Sequence, residues 1–182
     1  MTRRSFYLTM QKWSRVVTRW SFVFGAIYAG IQWYSSKVDA RTKQTIDFLE
    51  RFESDPFTKY WRSMKEFAET NQNQLEAKTT AAAYSDSVLS EIANAKIAAN
   101  LDMISDFFDE VNVCMDKALC DKDSAVALFG PKAYFFYVNF FPYIDSSRKQ
   151  HGDKNYGIGA ETLTKTPRTM PNFFQRIIAY LL

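Results

Sequence analysis

The chain has 182 residues, of which 23 are lysine or arginine and 20 are aspartate or glutamate, giving a formal net charge of +3. The basic residues are unevenly placed, because the first thirty-eight positions hold six of them and no acidic residue. The remaining positions hold seventeen basic and twenty acidic residues, which disfavours a protein that binds nucleic acid through bulk charge. The only histidine is His151, so catalytic or zinc sites that need two imidazoles cannot form within a single chain.

No metal or cofactor site is predicted from the sequence. Cys114 and Cys120 lie six positions apart within a helical pattern, which matches no zinc spacing and gives no indication of an oxidising compartment. The clustered acidic residues are interpreted as a solvated helix face and a capping turn; they are Asp106, Asp109, Glu110, Asp121 and Asp123. The sequence contains no phosphate-binding or dinucleotide-binding fingerprint.

A single membrane helix is predicted near the N-terminus. The nineteen residues from Val16 to Tyr34 form, as a helix, a segment of roughly 28 Å, close to the hydrocarbon thickness of a bilayer. A cleaved signal peptide is disfavoured, because no small-residue processing site follows this aromatic run, whose ends resemble an interfacial belt. We therefore predict a membrane helix with basic flanks over residues 1–38 and a soluble helical domain over 39–182.

Two faces of this helix predict how several copies would assemble. At about 100° per residue, one arc carries the basic line, and its candidate pore-lining residues are Lys12, Arg15, Arg19, Phe22, Ala26, Gly30 and Trp33. A ladder of small residues beside it allows close helix packing, through Ser14, Thr18, Ser21, Gly25 and Ala29. The pattern predicts a ring of helices around a pore; the alternative is a simple anchor whose basic residues fix its orientation.

The rest of the chain predicts an all-α domain. A helix is expected to begin at Pro56, and the apolar periodicity of 85–119 predicts one core helix or two broken near Asn100. A short helix over 125–129 is expected to stop at Gly130 and Pro131, and KAYFFYVNFFPYI reads as a further buried helix, although its aromatic density also suits a strand. Residues 145–171 are predicted as a surface loop, and 172–182 as a C-terminal helix.

One short motif points to possible RNA chemistry. Arg148 and His151 lie three positions apart, and arginine with histidine at short spacing forms the active pair of the helical nucleotide-binding (HEPN) RNase superfamily. That superfamily usually places four to six residues between the two, whereas two stand between them here. The alternative is a solvated polar loop with an incidental histidine, and cleavage would require two copies to meet.

Several stretches together prompt a resemblance. They are TIDFLERFESDP after the N-terminal helix, and NLDMISDFFDEVNVCMDKALCDKD leading to FFPYIDSSRKQHG. With the aromatic N-terminal helix and the Arg148/His151 pair, the chain resembles the small transmembrane accessory proteins of type VI-B CRISPR-Cas loci, which enhance defence by an RNA-guided RNase.

The resemblance implies a divergent HEPN-like helical bundle, a ring-shaped homo-oligomer and a single-pass protein of the bacterial inner membrane with a cytoplasmic soluble domain. It also implies a pore that depolarises the membrane when the RNA-guided RNase, with its guide RNA, has been activated. The short spacing of Arg148 and His151 disfavours an enzyme. The alternatives are a membrane-tethered HEPN-like RNase and an adaptor of the effector that forms no pore.

Overall fold

The structure is a computed structural model that describes residues 3–76, 78 and 80–164. Within that part, the side chains of residues 3–19, 22, 73, 74 and 76 are left out of the description. The described residues form six helices and no strand: α1 Arg3–Glu53, α2 Phe57–Glu76, α3 Ala81–Ala95, α4 Ala98–Asp116, α5 Lys122–His151 and α6 Ile158–Thr164. The predicted all-α class is therefore confirmed. The chain divides into two compact units, Met1–Ala40 and Arg41–Leu182.

Helix α1 contains the residues for which the sequence predicts a membrane helix. Its 51 residues include no glycine or proline other than Gly25 and Gly30, so nothing in the sequence forces it to break. No helix in the described part of the chain is both long enough and apolar enough to cross a bilayer.

The boundaries of α2, α3 and α4 follow from local residues. Helix α2 begins at Phe57, one position after the predicted start at Pro56. The Thr80 hydroxyl caps α3 by accepting a hydrogen bond from the Ala83 amide at 3.2 Å. The predicted break in the long amphipathic stretch is present, but it lies at Lys96, whose φ of 56° is left-handed and closes α3. The stretch is therefore two helices.

The expected stop at Gly130 and Pro131 is wrong, because α5 continues through both residues to His151. Proline lacks an amide hydrogen and collides with the carbonyl four residues before it, which usually kinks a helix. In α5 the non-helical backbone is at Phe140 (φ −111°, ψ 15°), two residues before Pro142. KAYFFYVNFFPYI is thus helical, and burial of every residue from Phe135 to Pro142 outweighs the cost of Pro142.

Aromatic side chains fill the core of the unit from Arg41 onward. Phe107 of α4 is fully buried, and its ring lies 5.0 Å from Phe52 of α1 and 5.5 Å from Phe129 of α5. Most of these neighbouring rings are tilted or edge-on, the arrangements that suit aromatic quadrupoles. The core therefore holds the last turns of α1, all of α4 and the middle of α5 in one packed body.

The two cysteines form a disulfide, which their spacing in the sequence did not predict. Cys114 at the end of α4 and Cys120 before α5 have Cα atoms 5.3 Å apart, and both residues are nearly inaccessible to solvent. Ala118, with φ of 53°, turns the chain back between them. The bond closes the turn that joins α4 to α5.

The predicted loop over 145–171 is only partly a loop. Residues 145–151 are the last turns of α5, Gly152 ends that helix with φ of 66°, and α6 occupies 158–164. Helix α6 packs against α4 and α5. The rest of the predicted loop and the predicted C-terminal helix, 165–182, lie outside the described residues.

Candidate functional site

An open groove runs between α1 and α4 within the unit that begins at Arg41. Its volume is about 610 Å³. We call it the acidic groove, and it is lined by Gln44, Phe48, Asp106, Asp109, Glu110, Val113, Cys114 and Leu119. It combines apolar walls with a row of carboxylates, and no sequence pattern singled it out as one surface.

The carboxylates come from successive turns of α4. That helix carries five acidic residues and no basic one. Burial raises the pKa of Asp106, and repulsion from Asp102 and Glu110 raises it further. Glu110 accepts a hydrogen bond from Arg51 of α1 at 2.5 Å, between two half-exposed side chains. Among the described residues, no lysine or arginine pairs with Asp106.

The apolar end of the groove is held in place by the disulfide turn. Leu119 is 61 % exposed and Val113 is 56 % exposed, so the two side chains leave apolar surface open to solvent at this end of the groove. The amides of Leu119 and Cys120 both donate to the Cys114 carbonyl, at 2.9 and 3.2 Å. Together with the disulfide, these hydrogen bonds fix the position from which Leu119 projects.

Behind the groove, Asp109 anchors the segment that leads into α6. Its carboxylate accepts hydrogen bonds from the amides of Gly157 at 3.1 Å and Gly159 at 2.5 Å. Burial raises the pKa of Asp109 to about 6, even though those two amides and the charge of Arg148 lower it. Asp109 therefore belongs to both the groove lining and the docking of α6.

Arg148 is the second anchor of the same segment. Its Nε donates to the Tyr156 carbonyl at 2.8 Å, and its terminal nitrogen donates to Glu161 at 3.0 Å. The side chains of this ion pair are only 12 % and 14 % exposed. We call Asp109, Arg148 and Glu161, with the amides of Gly157 and Gly159, the α6 clamp.

The structure separates the roles of the two predicted RNase residues. Arg148 is directed toward Tyr156 and Glu161, whereas His151 is the last residue of α5 and is exposed to solvent. Glu161 and Asp109 were not linked to Arg148 by the sequence, because partners 13 and 39 positions away show no local periodicity. The contacts of Arg148 favour a structural role.

Two tyrosines share one carboxylate beside the clamp. The hydroxyls of Tyr143 and Tyr156 donate to the same oxygen of Asp102, at 2.8 and 2.6 Å. Burial raises the pKa of Tyr143 to about 12, and the pKa of Tyr156 is also raised, first by burial and then by Asp102. Both phenols are therefore neutral hydrogen-bond donors at physiological pH rather than bases.

Stability is expected to depend on the ionisation of Asp109. Because its pKa is raised by folding, its contribution is fully present below the unfolded value near 3.9 and is lost as the pH rises toward about 6. We expect the melting temperature of the wild type, relative to Asp109→Asn, to fall between about pH 4 and 6 and then level off. Thermal unfolding followed by circular dichroism measures this, and a constant difference across that window would contradict the assignment.

Replacing Arg148 with methionine is expected to lower the free energy of unfolding by about 3 kcal/mol, because the nearly buried Glu161 carboxylate then loses its ion pair with Arg148. The control is His151→Ala, which changes an exposed residue and is expected to leave stability unchanged. Urea denaturation of both variants measures the difference. Equal stability of Arg148→Met and wild type would show that the clamp does not hold α6.

Residues 19–166 match a protein family described as a domain of unknown function, DUF4760. The match covers most of the chain. The chain belongs to the DUF4760 family. No curated protein and no solved structure matches it.

The DUF4760 match begins within α1 and includes the acidic groove and the α6 clamp.

Of the predicted pore-lining residues, Ala26, Gly30 and Trp33 are exposed. The side chains of Lys12, Arg15, Arg19 and Phe22 lie outside the description. In the predicted packing ladder, Ser21, Gly25 and Ala29 are exposed, and the side chains of Ser14 and Thr18 are likewise not described. Within the described residues, no group of three or more His, Cys, Asp or Glu side chains suits a metal.

Proposed function

We propose that this protein binds a lipid bilayer through the N-terminal part of α1. The observation that carries the proposal is a run of exposed large apolar residues with no acidic neighbour before Asp39. The exposed residues of this run, which we call the apolar stretch, are Trp20, Val23, Phe24, Ile27, Tyr28, Ile31, Trp33 and Tyr34. Such a surface on a helix requires cover by lipid or by protein.

Lipid is the better cover for two physical reasons. Burying one large apolar side chain contributes about 1.5–3 kcal/mol, so even half of the apolar stretch, four side chains, contributes about 6–12 kcal/mol to binding. The flanking basic residues add about 1 kcal/mol each near anionic headgroups. Trp33 and Lys37 illustrate the boundary, because the Lys37 ammonium lies 3.9 Å from the centre of the Trp33 ring. An indole with an adjacent cation suits the headgroup region.

We further propose that the bound protein is a homo-oligomer. Gly25 has open space where a side chain would project, and Ser21 and Ala29 lie one helical turn to either side. Small residues at this spacing let two helices approach closely in lipid, where packing rather than hydrophobicity drives association. Gly25→Leu should therefore disturb assembly without preventing lipid binding.

The resemblance to type VI-B CRISPR-Cas accessory proteins supports a more specific form of this proposal. In that form the oligomer is a ring in the bacterial inner membrane, the unit from Arg41 onward lies in the cytoplasm, and activation of the RNA-guided RNase opens the ring. The effector would shift a closed-to-open equilibrium by binding one state more tightly. Depolarisation of the membrane would follow.

The pore is tested by leakage rather than by binding. Cells that express the protein together with an activated RNA-guided RNase are expected to lose membrane potential, reported by a voltage-sensitive dye. The matched strain carries Gly25→Leu and is expected to keep its potential. If both strains keep their membrane potential while the wild-type protein is recovered in the membrane fraction, the pore is rejected. The proposal that the protein binds lipid is then retained.

A further inference from the structure

The acidic groove combines two surfaces that suit one kind of partner. Its apolar walls include Val113 and Leu119, and its rim includes the carboxylates of Asp106 and Glu110. We propose that the groove binds an amphipathic helix of a partner protein, with apolar side chains against the walls and lysine or arginine facing the rim. A helix in a groove is a common mode of peptide recognition, and it needs these two features side by side.

The charge of the groove selects a basic partner. Helix α4 supplies all the carboxylates of the rim and offers no cation in return. Asp106 is repelled by Asp102 and Glu110, so the free groove holds like charges close together. A lysine or arginine placed beside Asp106 would relieve that repulsion, whereas an acidic or neutral helix would not.

One contact within the chain shows how a guanidinium is accommodated here. Arg51 donates to Glu110 at 2.5 Å, and its guanidinium carbon lies 5.0 Å from the Phe57 ring centre and 5.4 Å from that of Phe107. The cation is therefore held by a carboxylate on one side and by aromatic faces on the other. Asp106, one turn earlier on α4, offers a carboxylate to which no such cation is bound in the described part of the chain.

Both walls of the groove are preorganised. Phe48 of α1 packs edge-on against Phe107 at 5.9 Å, and the opposite end is fixed by the turn in which the amides of Leu119 and Cys120 donate to the Cys114 carbonyl. A groove whose walls are already ordered loses little conformational entropy when a helix binds. This inference does not depend on lipid binding, because every residue that carries it belongs to the unit beginning at Arg41.

The test uses the full chain in nanodiscs of uncharged phosphatidylcholine and a fluorescent helical peptide made of leucine and lysine. Two matched peptides replace lysine with glutamate or leucine with serine, and empty nanodiscs give the background. We expect the leucine–lysine peptide alone to bind in fluorescence anisotropy, with weaker binding at high salt. Binding of the glutamate peptide with equal affinity would overturn the charge argument, and absence of leucine–lysine binding would overturn the proposal.

Substitutions in the groove test whether the peptide binds there. Asp106→Lys and the pair Val113→Ser with Leu119→Ser are each expected to weaken binding about tenfold. Asp86→Lys is the matched control, because it makes the same charge change on an exposed residue of α3 and is expected to keep full affinity. Unchanged affinity in the groove variants would exclude the groove. A second copy of the chain is the other candidate occupant of the groove, and analytical ultracentrifugation in detergent tests for it. If the protein does not bind the peptide but self-associates, and the groove variants abolish that self-association, the occupant is a second copy instead.

Discussion

Gly159→Ala is expected to unfold the protein or to lower its free energy of unfolding by about 5 kcal/mol. A Cβ atom at this position would overlap the carbonyl group of Phe108 and the amide of Asp109, which are backbone atoms of a core helix. Backbone at the centre of α4 cannot move aside as a flexible side chain does, so the added methyl group would push α6 off its seat. The displacement would also break the hydrogen bond from the Gly159 amide to Asp109.

The matched control for this prediction is Gly130→Ala. Gly130 is also on a helix, but the nearest atom to its added Cβ is the Leu163 carbonyl oxygen at an ordinary 3.7 Å. We expect this change to be neutral or stabilising by up to about 1 kcal/mol, because alanine is the better helix former. Chemical denaturation of the two variants gives the comparison, and a Gly159→Ala protein as stable as Gly130→Ala would disprove the tight contact between α6 and α4.

Three aspartates in the apolar stretch are expected to release the protein from membranes. The variant is Phe24→Asp, Ile27→Asp and Ile31→Asp, which changes three exposed side chains on α1. Each removes about 1.5–3 kcal/mol of apolar burial and adds a charge that the bilayer interior strongly disfavours. Most of the variant should therefore remain in the supernatant when lysed cells are sedimented, whereas the wild type should be in the membrane pellet.

A matched variant separates this effect from added charge. Ala81→Asp, Ala82→Asp and Ala83→Asp introduces the same three charges at exposed positions in the first turn of α3, where acidic residues suit the helix dipole. It is expected to sediment with the membranes like the wild type. Release of both variants to the same extent would show that net charge, and not the apolar stretch, controls sedimentation.

The class of fold was predictable because the helical signals are local. Pro56 places the start of α2 to within one residue, at Phe57, and apolar residues every three or four positions predict α4. The break between α3 and α4 was displaced by a few residues, since a lysine in the left-handed region at Lys96 ends α3 where no glycine marks the stop.

What sequence reasoning missed depends on contacts between distant residues. Pro131 reads as a helix stop, yet burial of the aromatic run after it keeps α5 helical. The α6 clamp joins Asp109 to Gly159 and Arg148 to Glu161 across a segment whose composition predicts a loop. The disulfide and the acidic groove likewise bring together residues whose spacing alone carries no signal. Of the clamp residues, Asp109 was interpreted as part of a solvated helix face and Arg148 as half of an RNase pair, and the contacts of both give them different roles.

Attachment of α1 to lipid is tested most directly by flotation of the purified full chain with liposomes. Liposomes of phosphatidylcholine with an anionic lipid are mixed with the protein and centrifuged through a density gradient at low and at high salt. Because apolar burial rather than charge supplies most of the binding, the protein is predicted to float with the liposomes at both salt concentrations. Protein that stays at the bottom of the gradient at both would contradict the account.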